Sequence, residues 1–344
     1  MVQPMRNPPT TLSELQQILL HLPQIDAAAQ AAAADRNGQL TKPPGALGRL
    51  EEVALWMGGW QGTDKPHANT PQVLIFAGNH GVAARGVSAF PAEVTAQMVA
   101  NFQAGGAAIN QLARCFGATL GVHALDLETP TADFTQGPAM DEASFLAAFN
   151  TGWQAVSPQA DVLVTGEMGI GNTTAAAAIS CALLGGAPDH WVGRGTGVDD
   201  AGLALKAQVV AEAVARHQGC RGLQALQVLG GRELAAMAGA IARARLLRIP
   251  VILDGFICTA AAACLHDAAP GALDHCIAGH VSEEPGHARL LAHLGKEPLL
   301  RLNLRLGEGS GAALAIGVVQ GAVACQSGTE STTTSNATLA SPPS

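Results

Sequence analysis

VLVTGEMGIGNTTAAAAI, residues 162–179, runs from a short, solidly apolar segment through a glycine-rich turn into a helix of small residues. Its strand-like start, DVLVTG (161–166), has five counterparts: QVLIFAG (72–78), ATLGVHALDL (118–127), LQVLG (226–230), IPVILDG (249–255) and HCIAGH (275–280). Brief apolar runs rich in β-branched residues, separated by amphipathic helical stretches, are the pattern of parallel strands buried on both faces. Together they predict an α/β fold with a doubly wound, six-stranded parallel sheet joined by right-handed crossovers.

Each run ends in polar or glycine-rich text: GNHG, DLETP, TGEMGIGN, LGGRE, LDGF and GHVSEEPGH. In open α/β sheets ligands lie beyond the carboxyl ends of the strands, so the chemistry is expected there. The first part of the chain reads as helix. TLSEL (11–15) opens with a T-x-x-E capping box, and Asp26 is placed to cap an alanine-rich helix that Asn37-Gly38 would end. Leu47, Leu50, Val53, Ala54 and Met57 share one helical face, and WQGTDKPHANTP (60–71) reads as a linker. After residue 280 the pattern is helical again. The expected organisation is a smaller helical domain from 1–62 plus 288–326, an α/β nucleotide-binding domain over 63–287, and a disordered Ser/Thr-rich tail over 327–344.

The 344 residues carry a net charge of −8, with 48% hydrophobic and only 13% charged side chains. An acidic chain lacks the basic face that nucleic acid or an anionic membrane requires. Aromatic residues at 3%, without a single Tyr, leave few platforms on which bases stack. So apolar a composition implies extensive buried surface, and a homodimer is the expected assembly. MVQPMRNPPTTLSELQQILL (1–20) has one Arg and no apolar core of the signal-peptide kind. The longest apolar stretch, PVILDGFICTAAAACL (250–265), is broken by Asp254 and too short to span a bilayer. Seven cysteines, odd in number, set in apolar runs and free of any C-x-x-C, suit unbridged thiols in a reducing cytoplasm.

Glycine turns that feed helices usually receive anions, because free N–H groups and the helix dipole point there. Two of these turns nevertheless carry a carboxylate: Glu167 in TGEMGIGNTT, and Glu308 in LRLGEGSGAALAI (304–316). The first has no Lys after its last Gly, unlike a Walker loop, and its glycine order is wrong for a dinucleotide fingerprint. It is either a tight connection or a ligand loop in which Asn172, Thr173 and Thr174 supply donors to phosphate oxygens. A third glycine loop, VGRGTGVDD (192–200), holds Arg194. On the helix after it, Lys206 either reaches an anion or is solvated. His280 and His287 flank a Pro and share no helical face, so no metal site is expected, and His80 is either a ligand contact or a satisfied loop histidine. No G-x-S-x-G occurs. As phosphate ligands the two glutamates have the wrong sign. As general bases they make sense, since burial or a neighbouring negative charge raises a carboxylate's pKa toward neutrality. The alternative for Glu308 is a helix cap, worth about 0.3–1 kcal/mol.

KPPGALGRLE (42–51), AGNHGVAARGVSAFPAEVTAQMV (77–99), NFQAGGAAIN (101–110), GEMGIGNTT, GRGTGVDD, LGGRELAAMAGAI (229–241), LDGFICTAAA, GHVSEEPGH and LRLGEGSGAAL occur in this order over residues 40–320. In that series the chain resembles the nicotinate-nucleotide:dimethylbenzimidazole phosphoribosyltransferase family, which builds the lower nucleotide loop of cobalamin. The resemblance implies a Rossmann-like sheet with a small helical domain from both termini, a homodimer, and no metal or other cofactor. It implies transfer of phosphoribose from nicotinate mononucleotide to 5,6-dimethylbenzimidazole with inversion at C1′, Glu308 acting as base and Glu167 assisting at the sugar. Phosphate and ribose would be held by Gly169, Gly171, Asn172, Thr173, Gly193, Gly195, Lys206 and Ser282. The base pocket would be the apolar set Phe90, Met98, Met168 and Leu306. Asn79 stands where an Asp is common in the family.

Overall fold

The computed structural model describes residues 7–331 apart from Thr196. Three helices come first: α1 (Leu12–Leu20), α2 (Ala27–Gln39) and α3 (Arg49–Gln61). Thr11 accepts from Glu14 N–H and Asp26 from Ala29 N–H, so both expected caps are made. Glu14 turns its carboxylate to Thr10 instead of closing the box on Thr11. The second helix runs through Asn37-Gly38 to Gln39.

The sheet then alternates with helices: β1 (Pro71–Ala77), α4 (Glu93–Ala104), α5 (Ala108–Cys115), β2 (Thr119–Ala124), α6 (Glu142–Ala155), β3 (Val162–Met168) and α7 (Asn172–Leu184). Next come α8 (Asp200–Arg216), α9 (Gly222–Leu229), α10 (Arg232–Leu246), β4 (Val251–Leu253), α11 (Phe256–Ala268), β5 (Cys276–His280), α12 (Pro285–His293), β6 (Pro298–Leu300) and α13 (Ser310–Gly328). The six strands are parallel, in the order β2-β1-β3-β4-β5-β6.

Two of the expected assignments change. LQVLG is not a strand: Leu223, Ala225, Leu226 and Leu229 are buried residues of α9, and Gly230 caps its end. The sixth strand is instead the half-buried edge segment Pro298–Leu300, within a region read as helical. The Ser/Thr-rich stretch starts inside α13, which continues to Gly328, and Ser331 forms a bridge with Leu40; residues 332–344 lie outside the described residues.

Strand side chains alternate between two cores, as pleating requires. Leu74, Phe76, Leu163, Val251 and Leu253 face a core built with α1 and α6–α11, whereas Val73, Ile75, Val162, Val164 and Ile252 face α3 and α13. Among the described residues α13 is the one helix long and apolar enough to cross a membrane, but it lies across the sheet with half of that stretch buried. Its apolar composition suits a core helix.

Candidate active site

A cavity of about 540 Å³ opens over the carboxyl ends of β3, β4 and β5 and the loop after β6. Its volume falls in the range that encloses most small-molecule ligands. It is displaced from the switch point between β1 and β3, where the direction of winding reverses.

Glu167 reaches it as the penultimate residue of β3, paired with Phe76 of β1. Asn172, the first residue of α7, donates Nδ2 to Glu167 Oε2 across the loop. Glycines are required in that loop: a Cβ on Gly169 would lie 2.6 Å from the Gly78 carbonyl oxygen, and Gly171 is left-handed at φ +97°. Glu167 is 6% exposed. Burial, followed by repulsion from Glu233, Asp254 and Glu308, pushes its pKa up to about 8, with the Asn172 bond offsetting part.

Glu308 comes from the turn between β6 and α13. Gly307, Glu308 and Gly309 are all left-handed, at φ +79°, +61° and +75°. That conformation is ordinary for glycine and costly for a glutamate. Burial, then the negative charge of Asp254, raises its pKa to about 7. A carboxylate poised near neutrality at a cavity wall is suited to proton abstraction.

The expected anion-binding loops converge. Thr173 and Gly195 line the cavity together with Gly169 and Asn172. Lys206 is 1% exposed and lies behind this wall, donating Nζ to Thr173 Oγ1 at 2.9 Å and to the Gly193 carbonyl at 2.8 Å. It supports the loops from within rather than being solvated. Burial lowers its pKa, which the nearby Glu284 partly opposes. Gly171 and Gly193 do not line the cavity; they shape its loops. Ser282 does line it, and its N–H and Oγ both contact His287 Nδ1, whose Nε2 faces Thr259 Oγ1. Burial, then His280, lowers the His287 pKa to about 3, which makes it a neutral structural link.

Of the expected base pocket, Phe90, Met168 and Leu306 line the cavity. Met98 does not: it packs with the α3/α13 core from α4. His80 does not line the cavity: its Nε2 is buried against Glu233, while its buried Nδ1 has no hydrogen-bond partner. Asn79 likewise serves the scaffold, donating to the Leu127 carbonyl.

The cavity is also lined by Asp254, Glu284 and Arg305, to which the sequence assigns no role, and by His280, a candidate there only as a metal ligand. In the sequence Asp254 stands out only as a break in an apolar run. The available signal was its place at the end of a strand, immediately before a glycine.

A sequence model of the phosphoribosyltransferase family matches residues 22–337. The nicotinate-nucleotide–dimethylbenzimidazole phosphoribosyltransferase of Ruegeria sp. (strain TM1040) is 69% identical over 319 residues, covering 93% of this chain and 95% of that protein. The enzyme of the same name from Mesorhizobium japonicum is 57% identical over 92% of this chain and 94% of its own length. Among solved structures, CobT from Thermus thermophilus superposes with a TM-score of 0.84 at 44% identity, covering 90% of this chain and 98% of that one. The chain therefore belongs to the nicotinate-nucleotide–dimethylbenzimidazole phosphoribosyltransferase family of enzymes.

Proposed function

We propose that this enzyme transfers the phosphoribosyl group of nicotinate mononucleotide to 5,6-dimethylbenzimidazole, giving α-ribazole 5′-phosphate and nicotinate. One ring nitrogen of the benzimidazole attacks C1′ from the face opposite the nicotinate ring. The C1′–N bond breaks with its electron pair leaving on the pyridine nitrogen, so the leaving group needs no proton. The other benzimidazole nitrogen gives its proton to Glu308, and attack from the opposite face inverts C1′ from β to α.

The observation that carries this reading is a buried carboxylate, held in a left-handed turn at the cavity wall, with its pKa raised to about 7. The 5′-phosphate is assigned to the N–H groups at the start of α7, with Asn172 and Thr173, Gly195 beside them, and Lys206 as the charge behind. Ser282 is assigned to the ribose, and Phe90, Met168 and Leu306 to the apolar base. Glu167, with its pKa raised to about 8, is a neutral acid before substrate binds. The cationic nicotinate ring, and then the oxocarbenium-like sugar, draw it toward its ionised form, which in turn stabilises them.

A homodimer is part of the proposal. Phe90 and Leu306 are 49% and 56% exposed at the cavity, and Leu302 is 53% exposed close by, an apolar patch that a second subunit would cover. Seven unbridged cysteines support a reducing cytoplasm.

The test is to incubate purified protein with nicotinate mononucleotide and 5,6-dimethylbenzimidazole and follow both products by chromatography. Equal amounts of nicotinate and α-ribazole phosphate are expected. Nicotinate alone would make water the acceptor, and no product would overturn the assignment.

A further inference from the structure

We infer that Asp254 is the positioning residue for the general base: by accepting the backbone N–H groups of Gly309 and Ala312, it holds the turn that directs Glu308 into the cavity. The inference rests on the reading of Glu308 given above.

Asp254 follows β4 and is 2% exposed. Its Oδ2 accepts from Gly309 N–H at 3.1 Å and its Oδ1 from Ala312 N–H at 2.9 Å. These amides belong to the start of α13, where no carbonyl within the helix can receive them. Gly309, the N-cap of α13, makes no side-chain cap bond, so a carboxylate from more than fifty residues earlier in the chain takes that part. A negative group there also meets the positive end of the helix dipole. On its other side the turn rests on Gly166, where a Cβ would lie 2.5 Å from Gly309 N. The three left-handed residues Gly307–Gly309 are thus drawn by Asp254 against a bare strand backbone.

The same carboxylate acts on Glu308 through space, since its charge makes Glu308 the stronger base. The other titratable groups around the pair are Glu167 from β3, Cys258 from α11, His280 from β5 and His287 from α12. Glu233 from α10 faces Glu167, and Lys206, Glu284 and Arg305 form a separate charged group. His280 Nε2 lies 3.3 Å from Asp254 Oδ1, a close contact without hydrogen-bond geometry. Burial works against the Asp254 anion, yet His280 and the backbone donors bring its pKa below the ordinary value. It therefore stays charged while Glu308 titrates.

The experiment compares wild type, Asp254→Asn, Glu308→Gln and the double variant. Asparagine can accept one of the two N–H groups but presents an NH₂ to the other. In Asp254→Asn, kcat is expected to fall about 10²-fold, the cost of a displaced catalytic group, while KM for nicotinate mononucleotide changes little. The acid limb of its pH–rate profile is expected to move to lower pH, because the charge that raised the Glu308 pKa is gone. In the Glu308→Gln background, Asp254→Asn should cost little more, since its effect runs through Glu308.

An unshifted acid limb, or the full loss recurring in the Glu308→Gln background, would make Asp254 a helix cap only and overturn the inference. Near-normal turnover in Glu308→Gln would remove the base reading itself. If Asp254→Asn does not fold, Asp254→Ser, which keeps one small acceptor, goes through the same comparison.

Discussion

The two glutamates that enter the cavity are held in opposite ways. Glu167 sits near the end of a central strand, where pairing with β1 sets its position and its backbone is ordinary. Glu308 sits in a left-handed turn, a conformation that costs about 1–3 kcal/mol for a non-glycine residue. Contacts distant in sequence, with Asp254 and Gly166, sustain it together with the local bonds from Ser310 N–H and Oγ to the Gly307 carbonyl. The strand supplies a fixed wall. The strained turn supplies a reagent whose position and acidity can be set by its neighbours.

The largest test of this contrast is Glu308→Gln. The turnover number should fall by about 10²–10⁴-fold, the usual share of a general base, while calorimetry still detects nicotinate mononucleotide binding. Lost binding with unchanged turnover of the bound fraction would assign Glu308 to substrate recognition.

Gly166→Ala comes next. The new Cβ would lie 2.5 Å from Gly309 N and 2.6 Å from Glu308 C, both backbone atoms, so the turn must shift. A loss of about 10²-fold in kcat/KM is expected. Activity close to wild type would mean that the turn is slack.

The smallest effect belongs to Glu167→Gln, because glutamine keeps the shape of the protonated acid and loses only the charge that the cationic sugar draws out; a loss of about tenfold is expected at neutral pH, less than a general base contributes. Its signature lies in stability. With its pKa raised from 4.5 to about 8, folded Glu167 keeps a proton that the unfolded chain releases, so stability falls as pH rises through that window. Thermal unfolding of the ligand-free enzyme should therefore decline between about pH 6 and about pH 8, and less steeply in Glu167→Gln. Identical slopes would mean that the carboxylate is ionised in the folded state throughout.

What could be read in the sequence follows the same division. β1 and β3 were legible because buried parallel strands need continuous apolar, β-branched text. Leu226–Gly230 misled because a run this short is too little to separate a strand from the last turn of a buried helix. Pro298–Leu300 escaped because an edge strand of three half-buried residues leaves almost no pattern. Both glutamates stood out among glycines. Asp254 did not, because its meaning lies in two amides that only the folded chain brings near. Met98 looked like a pocket residue by its neighbourhood in the chain, but α4 turns it toward the core.

α13 has a second anchorage. Arg36 of α2 donates to the carbonyls of Gln326, Ser327 and Thr329, and Gln326 reaches back to Ala33. In the order of synthesis, the loops after β3, β4 and β5 emerge first, and the turn with Glu308 and α13 follow them. Until α13 emerges, Val73, Ile75, Val162, Val164 and Ile252 lack the helix that covers their face of the sheet, so the cavity walls set only together with the turn that carries Glu308.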